Sequence, residues 1–262
     1  MLQIENVHKT FFAGTPNEKV ALRGVNLTLN DGDFVTVIGS NGAGKSTLLN
    51  SIAGVFPIDE GRIVISGHDV TKMAEHDRAK FIGRVFQDPM RGTAGGMMIS
   101  ENLAMAARRG KCPGLRWSEK REETEQFREL VAQLGLGLEN RLTAHVGLLS
   151  GGQRQAITLL MATLVRPELL LLDEHTAALD PKTAEKVLEI TNRIVTEQKL
   201  TTLMITHNMR DALRFGNRLI MMHNGLPIVD VAGKAKAKLT TADLLSYFEK
   251  AGDGVSDKMM LG

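Results

Sequence analysis

Hydrophobic positions along the 262-residue chain change their spacing several times, and each change marks an element. Leu2, Ile4 and Val7, then Val25, Leu27 and Leu29, recur at about every second position and predict strands over 2–7 and 20–29. The turn Asp31-Gly32-Asp33 leads into Phe34-Val35-Thr36-Val37-Ile38, a near-continuous apolar run of the kind buried on both faces of a sheet. A glycine-rich stretch follows, and a helix is expected from about Lys45 to Gly54, a residue suited to capping a helix end. Further strands are predicted over 61–66, 169–172, 201–205 and 218–222, with helices over 181–198 and 241–250. Strands alternating with helices predict an α/β fold with a mostly parallel sheet.

From about residue 88 the texture differs. The loop Gly92 to Met98 is rich in glycine and methionine, a helix is expected near 100–108, and an amphipathic helix near 119–134 follows a basic connector. This stretch reads as a helical subdomain inserted into the core, spanning about 88–165 of a single domain over 1–262. A short tail, about 234–262, ends in a Gly/Asp-rich segment.

Composition narrows the classes. With 43% hydrophobic and 24% charged residues the chain can bury an ordinary core. Lys and Arg number 32 against 30 Asp and Glu, so the basic excess expected of a nucleic-acid binder is missing. The lone Cys112 excludes an internal disulfide and suits a reducing cytosol. The longest apolar runs, 159–165 and 169–172, fall well short of the roughly 20 residues of a membrane helix. The opening residues lack the long apolar stretch of a signal peptide. A membrane role would therefore require docking onto a partner.

Three motifs carry chemistry. Gly39-Ser40-Asn41-Gly42-Ala43-Gly44-Lys45-Ser46, followed by Thr47, fits the phosphate-loop pattern G-x-x-x-x-G-K-S/T. Its glycines let backbone N–H groups approach phosphate oxygens, and the following helix aims its positive end at them. Lys45 is placed to reach the β- and γ-phosphates, and the Ser46 hydroxyl to bind Mg2+. A plain Gly-rich turn is the bland alternative, and the position between strand and helix favours the phosphate reading. Leu169 to Leu172 then lead to Asp173 and Glu174. A buried strand ending in two carboxylates puts them where open α/β sheets bind ligands. Asp173 would hold Mg2+, and Glu174 would orient or deprotonate the attacking water. A solvated acidic turn is the alternative. Finally, in Leu149-Ser150-Gly151-Gly152-Gln153 the Ser150 and Gln153 pair fits a helix capping box. A helix opening on glycines is also an anion site.

The LSGGQ spelling of 149–153 marks ABC ATPases, and from about residue 2 to about 230 the chain resembles one ABC nucleotide-binding domain. The resemblance implies a P-loop NTPase core with an N-terminal antiparallel β subdomain, and ATP with Mg2+ as cofactors. It implies that Gln87 contacts Mg2+ and the attacking water, and that His207 contacts the γ-phosphate. Asp180 matches the aspartate at the subunit interface, although Asp before Pro181 is also an ideal helix N-cap. Phe11 matches the aromatic that stacks on adenine; Phe12 could substitute for it, and core packing is the competing role. The family works in pairs, the phosphate loop of one subunit and Ser150 to Gln153 of the other enclosing each ATP. A second ATPase subunit, a transmembrane permease and a place on the cytoplasmic side of the membrane are implied with it.

Certain positions depart from the family pattern. His175 stands where the family usually has proline, which should slightly loosen the turn; an imidazole titrating near neutral pH is the other reading. Asp173-Glu174-His175-Thr176 and Gly95-Gly96-Met97-Met98 together resemble a branch of bacterial importers that act with a binding lipoprotein and a permease. Amino acids are among that branch's suggested substrates. The Gly92 to Met98 loop either grips a permease through adaptable methionines or packs them inward. The basic residues Arg108, Arg109, Lys111, Arg116, Lys120 and Arg121 read as a solvated face, with anionic lipid as the alternative contact. An exporter or lipoprotein-extraction ATPase remains open as a competing function. A soluble ABC ATPase fits less well, because only one motif set occurs and no coiled-coil heptads separate Gln87 from Ser150. The intact Glu174 and His207 argue against a regulator that binds ATP without hydrolysing it.

Overall fold

The computed structural model describes residues 1–111 and 121–252. Cys112, Arg116, Lys120, the side chain of Arg121, the start of the helix expected near 119–134 and the Gly/Asp-rich end lie outside the described residues.

Two sheets organise the chain. An antiparallel sheet contains β1 (Leu2–Phe11), β2 (Lys19–Leu29), β4 (Glu60–Ile65) and β5 (His68–Asp69), in the order β2-β1-β4-β5. A six-stranded sheet contains β3 (Phe34–Gly39), β6 (Ile82–Val85), β7 (Leu169–Asp173), β8 (Thr202–Ile205), β9 (Arg218–His223) and β10 (Leu226–Ala232). Its order is β10-β9-β3-β8-β7-β6; β10 runs antiparallel to β9, and the other pairings are parallel. The helices are α1 (Lys45–Ala53), α2 (Glu75–Arg78), α3 (Ile99–Ala107), α4 (Arg121–Ala132), α5 (Gly151–Leu164), α6 (Pro181–Glu197), α7 (Met209–Arg214), α8 (Gly233–Lys236) and α9 (Thr241–Lys250).

Alternation along β7 divides the core. Leu169 and Leu171 join the cluster formed with the antiparallel sheet and α1, while Leu170 and Leu172 join the cluster under α3, α4, α5 and α6. Successive strand residues face opposite sides, so four consecutive leucines feed two cores. The second cluster carries the inserted helices through Ile99, Leu103, Phe127 and Val131.

The Gly92 to Met98 stretch is held from below by buried Asn102. Its amide donates to the carbonyls of Ala94 (3.1 Å) and Met98 (2.9 Å) and accepts from the Ala94 N–H (2.8 Å). Met97 and Met98 are half-buried and Met90, just before the loop, is exposed.

The solvated-face reading of the basic connector needs correction at Arg109. Its guanidinium donates to the carbonyls of Ala162 (2.8 Å) and Val165, and so caps the end of α5. Arg108 pairs with Glu123 at 3.3 Å. Strand β1 runs to Phe11 rather than Val7, because irregular pairing after Ile4 and Val7 breaks the two-residue spacing of its apolar side chains.

Candidate active site

Strand β3 delivers the phosphate loop to the C-terminal edge of the sheet, and α1 leaves from it. Gly44 sits at the helix start with φ 100°, a left-handed conformation, and a Cβ there would come within 2.6 Å of the Ala21 carbonyl oxygen. No side chain caps α1, so its first turn presents backbone amides to the recess beside it. That recess, about 140 Å³, is lined by Lys19, Ala21, Asn41, Gly42, Ala43, Gly44, Lys45, Ser46, Thr47, Glu174 and His207.

Lys45 is 5% exposed, and its ammonium donates to the carbonyls of Gly39 (2.7 Å) and Ser40 (3.0 Å). Burial lowers its pKa, against the opposing fields of Glu174 and Asp173. Asp173 ends β7. Burial raises its pKa, and the Arg84 guanidinium 3.9 Å away pulls it back down. Glu174 follows with φ 46°, off the strand, its N–H bonded to the Ile205 carbonyl at 3.1 Å. Its carboxylate meets His207 Nε2 at 2.6 Å. His207 is aligned from both sides: Thr206 N–H donates to the Val37 carbonyl (3.1 Å), and Asn208 caps α7.

The donor set suits Mg2+. Ser46 and Asp173 offer hard oxygen ligands beside the phosphate loop, and Mg2+ is normally held by one or two such groups together with waters and phosphates. No dedicated cluster of three acidic, histidine or cysteine ligands occurs among the described residues, as such a site requires none. Exposed Gln87 lines a wider cleft of about 960 Å³ with Asn41, Glu174, His207 and Asp211.

Other expected residues lie elsewhere. Ser150 caps α5: its Oγ accepts from Gln153 N–H at 3.3 Å, and Gln153 Oε1 accepts from Ser150 N–H at 3.2 Å. Gly152 is packed against α6, where an added Cβ would lie 2.0 Å from Thr183 Cγ2. Ser150, Gly151, Gly152 and Gln153 do not line the phosphate-loop recess of their own chain. Asp180 caps α6 through the Thr183 N–H (3.1 Å), and hydrogen bonds from the Thr183 side chain and then its backbone lower its pKa. Phe11 packs edge-on against Phe56 at 5.1 Å, outside the recess lining, while Phe12 is 70% exposed.

His175 departs from the loosened turn expected of a missing proline. It is 2% exposed, and its Nε2 lies 3.0 Å from Thr191 Oγ1 in α6. The Thr191 hydroxyl proton goes to the Val187 carbonyl (2.8 Å), so the imidazole N–H is the donor to Thr191. The side chain thus pins the turn to α6. Burial pushes its pKa down to about 4, which leaves it neutral at pH 7.

Sequence reasoning missed Arg84, Asn50 and Gln155. Arg84 donates to Asn50 Oδ1 at 2.5 Å, reaches toward Asp173 and lies over the Phe86 ring at 4.5 Å. Gln155 donates to the Phe86 carbonyl at 3.0 Å, which ties α5 to the loop carrying Gln87. An arginine inside the short strand Ile82-Gly83-Arg84-Val85 was the available signal.

A phosphate loop beside an acidic strand end, on a parallel sheet, defines a P-loop nucleoside triphosphatase. The ABC transporter family profile matches residues 22–177, and the chain belongs to this family as an ATP-hydrolysing, ATP-binding transporter subunit. It is 44% identical over 251 residues to a tyrosine transport ATP-binding protein of Clostridioides difficile, covering 96% of this chain and 100% of the relative. It is 36% identical to a lipoprotein-releasing system ATP-binding protein of a Ruegeria species, covering 86% of this chain and 96% of that one. Among solved structures, a dimeric ATP-binding cassette in a post-hydrolysis state with ADP and Pi superposes with a TM-score of 0.75 at 29% identity, covering 88% of this chain and 98% of that one. Cassettes of this family act as dimers with transmembrane permease partners.

Proposed function

We propose that the subunit binds ATP with Mg2+ in the phosphate-loop recess and uses hydrolysis to drive import of a small amino-acid-type solute through a partner permease. The observation that carries the ATPase reading is the 2.6 Å contact between Glu174 and His207 at the recess that also holds Lys45. In this reading Glu174 takes a proton from the attacking water, His207 contacts the γ-phosphate, and Gln87, on the wall of the wider cleft, would contact Mg2+ and the attacking water. Lys45 exchanges its carbonyl partners for the β- and γ-phosphates, Ser46 and Asp173 hold Mg2+, and Asn41, Gly42, Ala43, Gly44 and Thr47 cradle the phosphates. Phe11 stacks on adenine.

Ser150, Gly151, Gly152 and Gln153 then serve the nucleotide of a second copy, with Asp180 at the subunit boundary. That they do not line the recess of their own chain supports that arrangement. The solute class rests on full-length similarity to the tyrosine transport subunit. A permease holds the subunit at the cytoplasmic side of the membrane, and an extracytoplasmic binding protein delivers the solute.

The direct test is Glu174→Gln. It should preserve ATP binding and lower turnover by about 10²- to 10⁴-fold, the usual worth of a positioned base. Turnover at the wild-type rate removes Glu174 from the role. For the solute, the subunit is co-purified with its permease, reconstituted in vesicles and supplied with the binding protein and tyrosine. Stimulated ATP hydrolysis supports import; stimulation by a membrane lipoprotein instead favours the releasing role of the Ruegeria relative.

A further inference from the structure

The antiparallel sheet brings a cation to the phosphate loop that the phosphate-loop motif does not contain. Lys19 opens β2 and lines the same recess as residues 41–47, Glu174 and His207. Its ammonium lies 3.9 Å from the point a Cβ on Gly42 would occupy, so the side chain extends over the loop backbone. Among the described residues it has no carboxylate within ion-pair distance. Ala21, two residues on, forms the recess wall beside it.

The register of β1 and β2 adds a second constraint. Phe11 and Lys19 are direct antiparallel partners, and residues paired in this way project to one face of a sheet. A nucleotide stacked on Phe11 and anchored by its β- and γ-phosphates at Lys45 must pass between these two points. Lys19 is the strand partner of Phe11, and its ammonium reaches the Gly42 rim of the recess that Lys45 also lines. The atoms of the nucleotide that lie between base and β-phosphate are the ribose and the α-phosphate, and of these only the α-phosphate is an anion.

We propose that Lys19 is a nucleotide-binding residue that donates a charge-assisted hydrogen bond to the α-phosphate, so that the antiparallel sheet and the phosphate loop grip one ligand together. The inference rests on reading the phosphate loop and Phe11 as the nucleotide site. It sets a pattern that Lys45 does not: a contact to the α-phosphate serves ATP and ADP equally. Lys19 therefore raises affinity for both nucleotides without favouring the unhydrolysed one, and slows product release.

The test is equilibrium binding of ATP and of ADP, each with Mg2+, to purified Lys19→Met, Lys19→Arg and Lys45→Ala. Lys19→Met should weaken ATP and ADP alike, by about five- to tenfold for one charge-assisted contact near solvent. Lys19→Arg should recover most of the loss, and the decline of affinity with added salt should be shallower in Lys19→Met than in wild type. Lys19 is exposed, so melting without nucleotide should not change. Unchanged affinities in Lys19→Met overturn the proposal, and so does loss confined to ATP, which moves the lysine to the γ-phosphate. If Lys45→Ala binds ATP as wild type does, the phosphate-loop reading itself has failed. If Lys45→Ala loses binding while Lys19→Met keeps it, only the role of Lys19 has.

Discussion

Replacing His175 with methionine should reverse sign with pH. The imidazole is buried, its pKa is pushed down to about 4, and in the unfolded chain it returns to about 6.5. Below pH 6.5 the unfolded state takes up a proton that the folded state refuses. Stability from this group is complete above the unfolded value and is lost as pH falls from 6.5 toward 4. Between pH 7 and pH 5 the loss comes to about 2 kcal/mol, from the logarithm of the two protonation factors. Methionine has a similar volume and no proton to gain, and Thr191 keeps its bond to Val187. At pH 7 the variant should therefore cost about 1 kcal/mol for the lost hydrogen bond. The two stability curves should cross between about pH 5.5 and 6, with the variant the more stable form below the crossing. Urea unfolding followed by far-ultraviolet circular dichroism at half-unit steps from pH 7.5 to 4.5 measures both curves. A difference that stays constant across that range would refute a buried, neutral imidazole. Turnover above pH 6 should show no ionisation that disappears in the variant, since neutral His175 has no proton to exchange there.

Other outcomes follow from the same geometry. Burial, reinforced by Glu185 and opposed by Arg214, lifts Asp211 to about 6, so its favourable protonated state is lost as pH rises from about 4 through 6. Asp211→Asn should then gain about 1 kcal/mol above pH 6, after allowance for the solvent around a half-buried group, and nothing at pH 4; a gain at both pH values contradicts the assignment. Arg78 is 2% exposed and donates to the carbonyls of Ser51 (2.7 Å), Ile52 (2.8 Å), Met73 (3.0 Å) and Thr71 (3.1 Å). Arg78→Met strands these acceptors and should lower stability by about 3 kcal/mol, measured by thermal melting, with Arg78→Lys recovering only part.

What could be read from the sequence was mostly what is local in it. The phosphate loop, Asp173-Glu174 and the Ser150–Gln153 box each lie within eight consecutive residues, so their chemistry shows in spacing alone. Arg84 was hidden because its partners are remote along the chain: Asp173 meets it only when β6 and β7 pair, and Asn50 only when α1 packs beside that sheet. Arg109 looked like one more solvated cation because the carbonyls it caps belong to α5, more than fifty residues away. Strand β6 escaped notice, being four residues long with an arginine inside, and β10 because Pro227 speaks against a strand; it is tolerated at the sheet's edge. The short helices α2 and α7 carry too few turns for a periodicity to register.

The strand order has a consequence for how the molecule is made. β3, which delivers the phosphate loop, ends at Gly39, yet its two neighbours are β8 and β9, which end at Ile205 and His223. A ribosome therefore exposes the loop long before the two strands that flank it in the sheet. Until then β3 offers two open hydrogen-bonding edges and an apolar surface, the features that invite misassembly. Contacts of such long sequence separation also slow folding. The nascent chain thus completes its nucleotide site only after β8 and β9 have emerged, and no product of translation stopped before β8 can be an ATPase.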